Sequence, residues 1–179
     1  MDLRAPIREE RFGASFYSEG FFVTLEVVIR SIATKTSVET QKLAGVIVKN
    51  LLKKPHPARA GVVGFSGELG AGKTTLIQGI GKSLGVKEKI QSPTFVLMRT
   101  YALRRRKKIP WQNLVHIDAY RLENKKEAAT FGLKNIFRNP KNLVLIEWAE
   151  KIKSALPRFT LWVELKHSGK THRHILIKT

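Results

Sequence analysis

A stretch near the middle of the chain, GELGAGKTT at residues 67–75, restricts the possible folds more than any other feature. It fits the pattern G-x-x-x-x-G-K-[ST] and lies between the apolar run Val62–Phe65 and a segment, Thr74–Leu84, with apolar residues at helical spacing. The glycines let backbone N–H groups turn toward an anion, and the following helix adds its positive end. The pattern therefore predicts a phosphate-binding loop between a buried strand and a helix.

Two side chains of this loop have predicted roles of their own. Lys73 can reach the β- and γ-phosphates of a nucleotide, and the Thr74 hydroxyl can take one position on Mg²⁺. The alternative is a glycine-rich turn with an exposed lysine. The predicted nucleotide-binding residues are Gly67, Glu68, Leu69, Gly70, Ala71, Gly72, Lys73, Thr74 and Thr75.

Composition restricts the partners and the chemistry. The 179 residues suit a domain with a sizeable core, and 42% hydrophobic content is ordinary for a globular protein. A formal net charge of +19 predicts attraction to polyanions such as RNA, although a solvated basic surface is the alternative. The absence of cysteine excludes disulfides, thiolate nucleophiles and zinc–cysteine sites.

The N-terminal residues 1–27 read differently from the rest of the chain. Their apolar run at Phe21–Leu25 is too short for a membrane span and has no small-residue cleavage site after it. We therefore expect a cytoplasmic protein without export signal or membrane anchor. Residues 1–27 are predicted to be a disordered or loosely docked extension, or sequence carried in by a misplaced start, and residues 28–179 the nucleotide-binding domain.

The segments before the loop predict a strand and a helix. Val27–Ala33 has the composition of a strand, and Thr36 with Glu39 forms a capping-box signature. One helix is expected from there to the basic, proline-broken turn at residues 53–57, and its inward residues would be Leu43, Ile47, Leu51 and Leu52.

The segments after the loop helix combine a turn, a strand and a charge run. Gly85 is the predicted end of the helix, and the spacing of Ser92–Phe95 favours an ordinary proline turn before a strand at Val96–Tyr101. Arg104–Lys108 is a run of five basic residues. It is either a solvated loop or, because Trp111 follows it closely, an RNA-facing hairpin.

Two later strands end in carboxylates. Leu114–Asp118 alternates into an acidic end, and Leu143–Glu147 has four apolar residues closed by a glutamate, which is typical of a Walker B strand. An acid at the carboxyl end of a buried parallel strand lies beside the phosphate loop, where it can hold Mg²⁺ through water or polarise the attacking water. The alternative for Glu147 is a helix-capping glutamate. Between the two strands, Glu127–Phe137 predicts one or two short helices around Gly132.

The C-terminal segments Phe159–Lys166 and His172–Lys178 alternate as two antiparallel strands around Gly169. His172 and His174 share one face there, but no third ligand is evident, so no metal site is expected at this pair.

Four motifs in this order and approximate spacing resemble the TsaE (YjeE) family, the ATPase of bacterial tRNA threonylcarbamoyladenosine biosynthesis. They are the loop at residues 67–75, Ser-Pro-Thr-Phe at 92–95, His-Ile-Asp-Ala-Tyr-Arg-Leu at 116–122 and Leu-Ile-Glu-Trp at 145–148. The loop alone is shared by many families, whereas the combination is much more specific. The resemblance covers the chain from about Val28 to its end.

The resemblance implies an α/β, P-loop NTPase-like three-layer sandwich with a central, mostly parallel sheet and antiparallel C-terminal strands. It implies Mg²⁺-dependent binding and hydrolysis of ATP, and work with TsaB and TsaD, at whose interface hydrolysis would reset the complex between turnovers. Lys73, Asp118 and Glu147 would be catalytic, and Thr74, Asp118 and Glu147 would hold the metal. Ser92, Pro93 and Thr94 would form a switch-like segment, and the Trp148 indole would pack beside the site.

The chain also departs from the family pattern. The segment Glu127–Gly132 is less acidic than usual, the arginine-rich run is unusual and the net charge is extreme. Contact with tRNA, either indirect or through the basic surface, is therefore open. Arg99, Arg121 and the basic run are all candidates for an arginine finger, and the sequence identifies none of them as the one, so turnover without a partner is expected to be slow.

Two other functions remain open from the sequence. A small-molecule or nucleoside kinase also begins with this loop, and the basic run would then be an arginine lid, although no acceptor pocket with its own base is evident. The other alternative is a non-catalytic RNA-binding protein that retains the loop.

Overall fold

The fold is described from a computed structural model of the chain. The structure describes residues 8–18, 21–53, 58–122, 127, 131–169 and 171–178, with side chains from residue 31 onward. The strands are β1 (Arg8–Ser18), β2 (Phe21–Thr34), β3 (Gly61–Ser66), β4 (Met98–Ala102), β5 (Asn113–Asp118), β6 (Asn142–Glu147), β7 (Leu161–His167) and β8 (Arg173–Lys178). The helices are α1 (Ser37–Lys42), α2 (Ala44–Lys53), α3 (Lys73–Leu84), α4 (Leu133–Arg138) and a 3-10 segment, Ala149–Ala155, that kinks at Ile152.

All eight strands belong to one mixed sheet, in the order β1-β2-β8-β7-β3-β6-β5-β4. The four central strands, β7, β3, β6 and β5, are parallel. Antiparallel strands extend both sides: β4 beyond β5, and β8, β2 and β1 beyond β7. The predicted parallel centre and antiparallel C-terminal strands are confirmed, and the sheet has antiparallel strands at its other edge as well.

Both faces of the central strands are buried, which explains their nearly continuous apolar runs. Alternate residues of β6 point to opposite faces: Leu143 and Leu145 join one core cluster, and Val144 and Ile146 join the other. The first cluster includes apolar residues of α2 and α3, and the second includes residues of α4 and the 3-10 segment. Helices therefore cover both faces, which gives the predicted three layers.

The predicted helix before the loop is two helices. The cap is as expected, since Thr36 Oγ1 accepts from the Glu39 amide at 3.1 Å, but Glu39 Oε2 accepts from the Lys35 amide rather than from that of Thr36. α1 and α2 meet at Leu43, whose N–H still lies 3.3 Å from the carbonyl oxygens of Glu39 and Thr40. The interruption is one residue long and leaves this amide bonded.

The end of α3 matches the prediction, and one glycine fixes its position. Gly85 ends the helix with φ of 84°, the left-handed conformation typical of a glycine cap. Within α3, a Cβ on Gly79 would lie 2.5 Å from the Gln41 carbonyl oxygen. Because only glycine allows this approach, Gly79 brings α1 against the loop helix.

The two N-terminal strands pair with each other in antiparallel orientation. Residues 8–18 pair with residues 21–31, and β2 pairs with β8 only from Ile29 onward. The predicted strand at Val27–Ala33 is confirmed as part of the longer β2. The disordered or loosely docked extension expected at residues 1–27 stays a prediction, and residues 1–7, 19 and 20 lie outside the described part.

The other predicted segments have mixed outcomes. α4 begins directly after Gly132, as expected, while residues 123–126 and 128–130 of the predicted helical region lie outside the described residues. The strand predicted at Val96–Tyr101 begins two residues later, as β4. No helix among the described segments is long and apolar enough to cross a bilayer.

Candidate nucleotide site at the carboxyl ends of the parallel strands

The predicted phosphate loop connects β3 to α3 and is shaped by three glycines. Gly67, Gly70 and Gly72 have φ angles of 135°, 75° and 100°, which other residues rarely adopt. A Cβ on Gly67 would lie 2.1 Å from the Leu165 carbonyl oxygen of β7, so this position requires glycine. α3 begins at Lys73 and has no side-chain cap at Gly72, which leaves its positive end to an anion.

Lys73 is buried at the base of the loop, with 4% of its surface exposed. Its Nζ donates to the carbonyl oxygens of Gly67 and Glu68, at 2.6 and 2.9 Å, and lies 3.6 Å from the centre of the Trp148 ring. Burial lowers the pKa of Lys73 below its usual range, and the nearby carboxylates of Glu147, Glu150 and Asp118 oppose this shift in part. The alternative of an exposed lysine on a glycine-rich turn does not fit this geometry.

Glu147, the last residue of β6, connects the loop helix to β5. Thr74 Oγ1 donates to both carboxylate oxygens, at 2.8 and 2.9 Å, and His116 Nε2 lies 2.9 Å from Oε1. A carboxylate only accepts, so a proton on Nε2 makes His116 the donor. Glu147 and His116 are almost fully buried. The helix-capping alternative is wrong, since the residue before the 3-10 segment is Trp148 and the Glu147 carboxylate bonds Thr74 and His116 instead.

Asp118 ends β5 and pairs with Glu147 in the parallel register, so the two acids lie side by side. Its Oδ2 accepts hydrogen bonds from the hydroxyls of Ser92 and Thr94, the latter at 2.6 Å, and its Oδ1 accepts from the Tyr120 amide at 2.9 Å. The Ser-Pro-Thr segment is therefore more than a proline turn, because both of its hydroxyls hold the acid beside the loop. Pro93, between them, is buried.

Trp148 turns the chain sharply after β6. Its φ of 56° is unusual for a residue other than glycine, and it directs the indole over Lys73. The ring also contacts Tyr120, with centroids 5.1 Å apart. The expectation that this indole packs beside the site is thus met in the geometry.

The site has oxygen donors that suit Mg²⁺. Within the part of the chain that the structure describes, no group of three His, Asp or Glu side chains could hold a metal ion alone. Thr74 Oγ1 and the carboxylates of Glu147 and Asp118 nevertheless provide hard oxygens beside the loop. Mg²⁺ is commonly bound by one or two carboxylates together with substrate phosphates, so the donors fit a metal–nucleotide complex.

Comparison with known proteins assigns the chain to a family. The sequence profile of the family described as "Threonylcarbamoyl adenosine biosynthesis protein TsaE" matches residues 34–175. The chain belongs to the TsaE family. A tRNA threonylcarbamoyladenosine biosynthesis protein TsaE from Treponema pallidum is 32% identical over 133 residues, which are 74% of this chain and 89% of that protein. The TsaE of Haemophilus influenzae is 34% identical over 117 residues, 65% of this chain and 70% of its own length.

A solved structure supports the fold as well. YdiB of Bacillus subtilis matches with a TM-score of 0.61 and 25% identity, over 86% of each chain. For this TsaE-family chain, the role in tRNA threonylcarbamoyladenosine biosynthesis follows from its membership.

Two residues that contact the loop were missed in the sequence. Arg173 of β8 donates to the carbonyl oxygens of Ala71 and Gly70, at 3.1 and 3.2 Å, and His167 Nε2 lies 3.2 Å from the Leu69 carbonyl. Both lie where β7 and β8 meet, about a hundred residues along the chain from the loop. Strand alternation placed Arg173 within the second predicted C-terminal strand and His167 directly after the first, but it gave no sign that this strand pair passes beside the loop.

Two other residues singled out in the sequence contact residues outside the loop. The Arg121 guanidinium lies 4.7 Å from the centre of the Phe95 ring. His174 Nε2 lies 2.5 Å from Ser31 Oγ. Leu69 and Phe95 are the most exposed large apolar side chains among the described residues, at 82% and 86%.

Proposed function

We propose that this TsaE-family protein binds and hydrolyses ATP with Mg²⁺ as a component of the machinery that makes N6-threonylcarbamoyladenosine at tRNA position 37. The observation that carries the proposal is the convergence of Lys73, the Thr74–Glu147 pair and Asp118 around one glycine-rich loop. A nucleotide site of this class needs a cation for the phosphates, a hydroxyl and an acid for the metal, and a loop of backbone donors.

Each residue of the site would have its own role in binding the nucleotide or the metal. Lys73 exchanges its two carbonyl acceptors in the loop for β- and γ-phosphate oxygens, which are stronger acceptors because they carry charge. Thr74, Asp118 and Glu147 would hold Mg²⁺, whose positive charge would offset the negative charge of the phosphates. Thr74 and Glu147 are hydrogen-bonded to each other, and the hydrogen bond between His116 and Glu147 would fix the orientation of the carboxylate.

Asp118 would connect the metal site to the switch-like segment. Its carboxylate holds Ser92 and Thr94, so any change at Asp118 on nucleotide binding is passed to residues 92–94. The segment leads directly to Phe95, which is exposed. A change of phosphate state therefore has a short route, through hydrogen bonds, to an apolar side chain at the surface.

The partners are proposed to be TsaB and TsaD, in the cytoplasm. Exposed Leu69 lies on the loop itself, and Phe95 follows the switch-like segment, so a protein docked at this end would cover the nucleotide site. Exposed apolar side chains around a functional site commonly mark protein contacts. A partner at this position can exclude water and complete the site for turnover.

The experiment is steady-state ATP hydrolysis by the pure protein, with and without TsaB–TsaD and tRNA. Hydrolysis should be slow for the protein alone and rise with the partners, and it should be lost in Lys73→Ala. A Lys82→Ala variant is the matched control, because Lys82 is exposed at the far end of the same helix. Tight ATP binding without hydrolysis under all these conditions would overturn the ATPase proposal and favour a binding module.

A further inference from the structure

The end of the sheet opposite the nucleotide site is strongly basic. Five described segments pass the amino ends of the central strands: residues 58–61, 82–90, 102–113, 138–142 and 156–161. Together they hold twelve Lys and Arg residues and one acid, Glu88. The excess of positive charge noted in the sequence is therefore concentrated on a defined end of the fold.

The centre of this basic end is the hairpin formed by residues 104–109, between edge strand β4 and β5. A backbone bridge joins Arg106 and Ile109 across the turn, and the Arg106 guanidinium donates to the Ser83 carbonyl of α3 at 3.1 Å. Arg104, Arg105, Lys107 and Lys108 are exposed. The hairpin is thus anchored by Arg106, while four other cations remain available to a ligand.

Other cations extend the surface around the hairpin. The amide of Gln112 donates to the Lys141 carbonyl at 2.7 Å, so the chain just before β6 lies next to the hairpin, and Lys141 is exposed. Beside these residues is an open hollow of about 350 Å³, lined by Arg105, Arg106 and Lys107 and by no acidic side chain. A row of phosphates could therefore approach without meeting a carboxylate.

Trp111 indicates the kind of contact that this surface makes. Its indole is 4% exposed and packs against Gly61, where a Cβ would lie 2.9 Å from the ring. The sequence suggested an aromatic residue beside an RNA-facing hairpin, but this ring is a core residue and cannot stack on a base. Binding here would be through phosphates and largely independent of base sequence.

We propose that residues 104–108, with the neighbouring cations of the amino end, form a docking surface for the phosphate backbone of RNA. RNA is favoured over a lipid surface because membrane-binding segments combine cations with exposed apolar residues, and at the hairpin Trp111 is buried and Ile109 half-buried. Phe159, at the same end, is 39% exposed, but the Arg59 guanidinium lies 3.8 Å from its ring centre. The choice of RNA rests on the family's role in tRNA modification. The surface is at the opposite end of the sheet from the phosphate loop, so RNA and nucleotide would bind without overlap.

The test compares two quadruple variants of the full chain. The first, R104Q/R105Q/K107Q/K108Q, keeps Arg106 because its guanidinium anchors the hairpin. The control, K35Q/K42Q/K49Q/K134Q, removes the same charge from exposed lysines on helices and on the turn before α1. Binding of unmodified tRNA is measured by fluorescence anisotropy between 50 and 300 mM salt, without ATP or partners, roughly the range over which phosphate contacts are resolved.

The hairpin variant should lose at least about tenfold in affinity at low salt. The slope of log K against log[salt] is negative, and its magnitude should fall by about 3, because each phosphate contact contributes about 0.7 to 0.9 to it. The control should change the slope by less than about 1. Equal slopes in the two variants would overturn the proposal. Binding to vesicles of anionic phospholipid is measured in the same way. If it depends on salt as strongly as tRNA binding does, and if the hairpin variant reduces both equally, the proposal is also overturned.

Two further measurements separate this surface from the nucleotide site and from damage to the fold. The hairpin variant should retain the ATP hydrolysis of the wild type, so failure of the ATPase proposal leaves the RNA result interpretable. If the quadruple variant has a lowered Tm, K107Q/K108Q at the hairpin turn replaces it, and the slope should then fall by about 1.5. An unchanged slope in that folded double variant would also overturn the proposal.

Discussion

The two ends of the central sheet hold charged side chains under opposite physical conditions. At the carboxyl end, Lys73, Asp118 and Glu147 are 4%, 3% and 3% exposed, and each makes at least two hydrogen bonds to its neighbours. At the amino end, residues 104–108 are all exposed. Buried charges depend on their partners, because an unpaired one costs several kcal/mol, whereas exposed cations act almost independently. Substitutions at the first end should therefore have large and non-additive effects, and those at the second small and additive ones.

The largest expected effect is that of Glu147→Gln. The amide keeps the shape of the side chain but removes the charge that faces Lys73 and the metal position, so ATP turnover in the presence of TsaB–TsaD should fall by about 10²-fold or more. ATP binding, which the proposed function assigns mainly to the loop and Lys73, should be largely retained. Turnover is measured at saturating ATP, and binding by calorimetry.

Glu150→Gln is the matched control for this substitution. Glu150 undergoes the same chemical change three residues later, and its carboxylate also influences Lys73, but its side chain is exposed. Its turnover should stay within a few-fold of the wild type, because solvent screens exposed charges. Equal losses in the two variants would mean that general charge near Lys73, rather than the buried position of Glu147, determines turnover.

The next effect is a pH dependence of ATP binding. Because burial lowers the pKa of Lys73 in the free protein, this lysine loses its proton at a lower pH than an ordinary lysine does. Bound phosphates stabilise the protonated form, so the affinity for ATP should be constant below the lowered pKa and fall above it. The fall approaches about tenfold per pH unit.

Lys73→Arg gives the comparison for this pH dependence, because a guanidinium stays charged throughout the alkaline range. The dissociation constant for ATP is measured from neutral pH to the usual pKa of lysine in both proteins. The arginine variant should bind more weakly but without the alkaline loss. A parallel loss in both would assign the titration to another group.

Local patterns in the sequence predicted the parts of the site that lie within one segment. The loop, its helix and the strand that ends in Glu147 each have a period or a spacing that reports on a few consecutive residues. The placement of Asp118 and Glu147 at the loop edge of the sheet also followed, since parallel strands bring their carboxyl ends to one edge, but the direct pairing of their two strands did not. The hydrogen bonds from Ser92 and Thr94 to Asp118 were not predictable from spacing, because they join residues 26 and 24 positions apart.

At the amino ends of the central strands, composition predicted the charge but not the contacts of the charged segment. The run at residues 104–108 was evident as charge, but its anchoring by Arg106 and the burial of Trp111 depend on the contacts of α3 and Gly61. Arg173 and His167 illustrate the same limit at the other end, because their contacts with the loop arise from the parallel pairing of β3 with β7. Sequence periodicity assigns a strand, whereas its neighbours are decided by the whole sheet.

A smaller effect tests whether neighbouring side chains at the carboxyl ends of the parallel strands depend on one another. Ser92 and Thr94 donate to the same oxygen of Asp118, so either hydroxyl can partly replace the other. Ser92→Ala and Thr94→Val should each reduce ATP turnover only a few-fold, and the double variant by more than the product of the two. Turnover of the single and double variants forms the cycle, and a result equal to the product would mean that the two bonds act separately.

The smallest effects are expected at the amino end, where the same cycle should be additive. Lys107→Gln and Lys108→Gln should each lower the salt slope of tRNA binding by up to about 0.9, because each removes at most one phosphate contact. The double variant should show the sum, since exposed side chains that share no partner adjust independently. ATP turnover should be unchanged in all three. A loss in the double variant that clearly exceeds the sum, or a loss of turnover with it, would show that the two ends of the sheet are coupled, and the amino end would then be part of the nucleotide cycle rather than a separate docking surface.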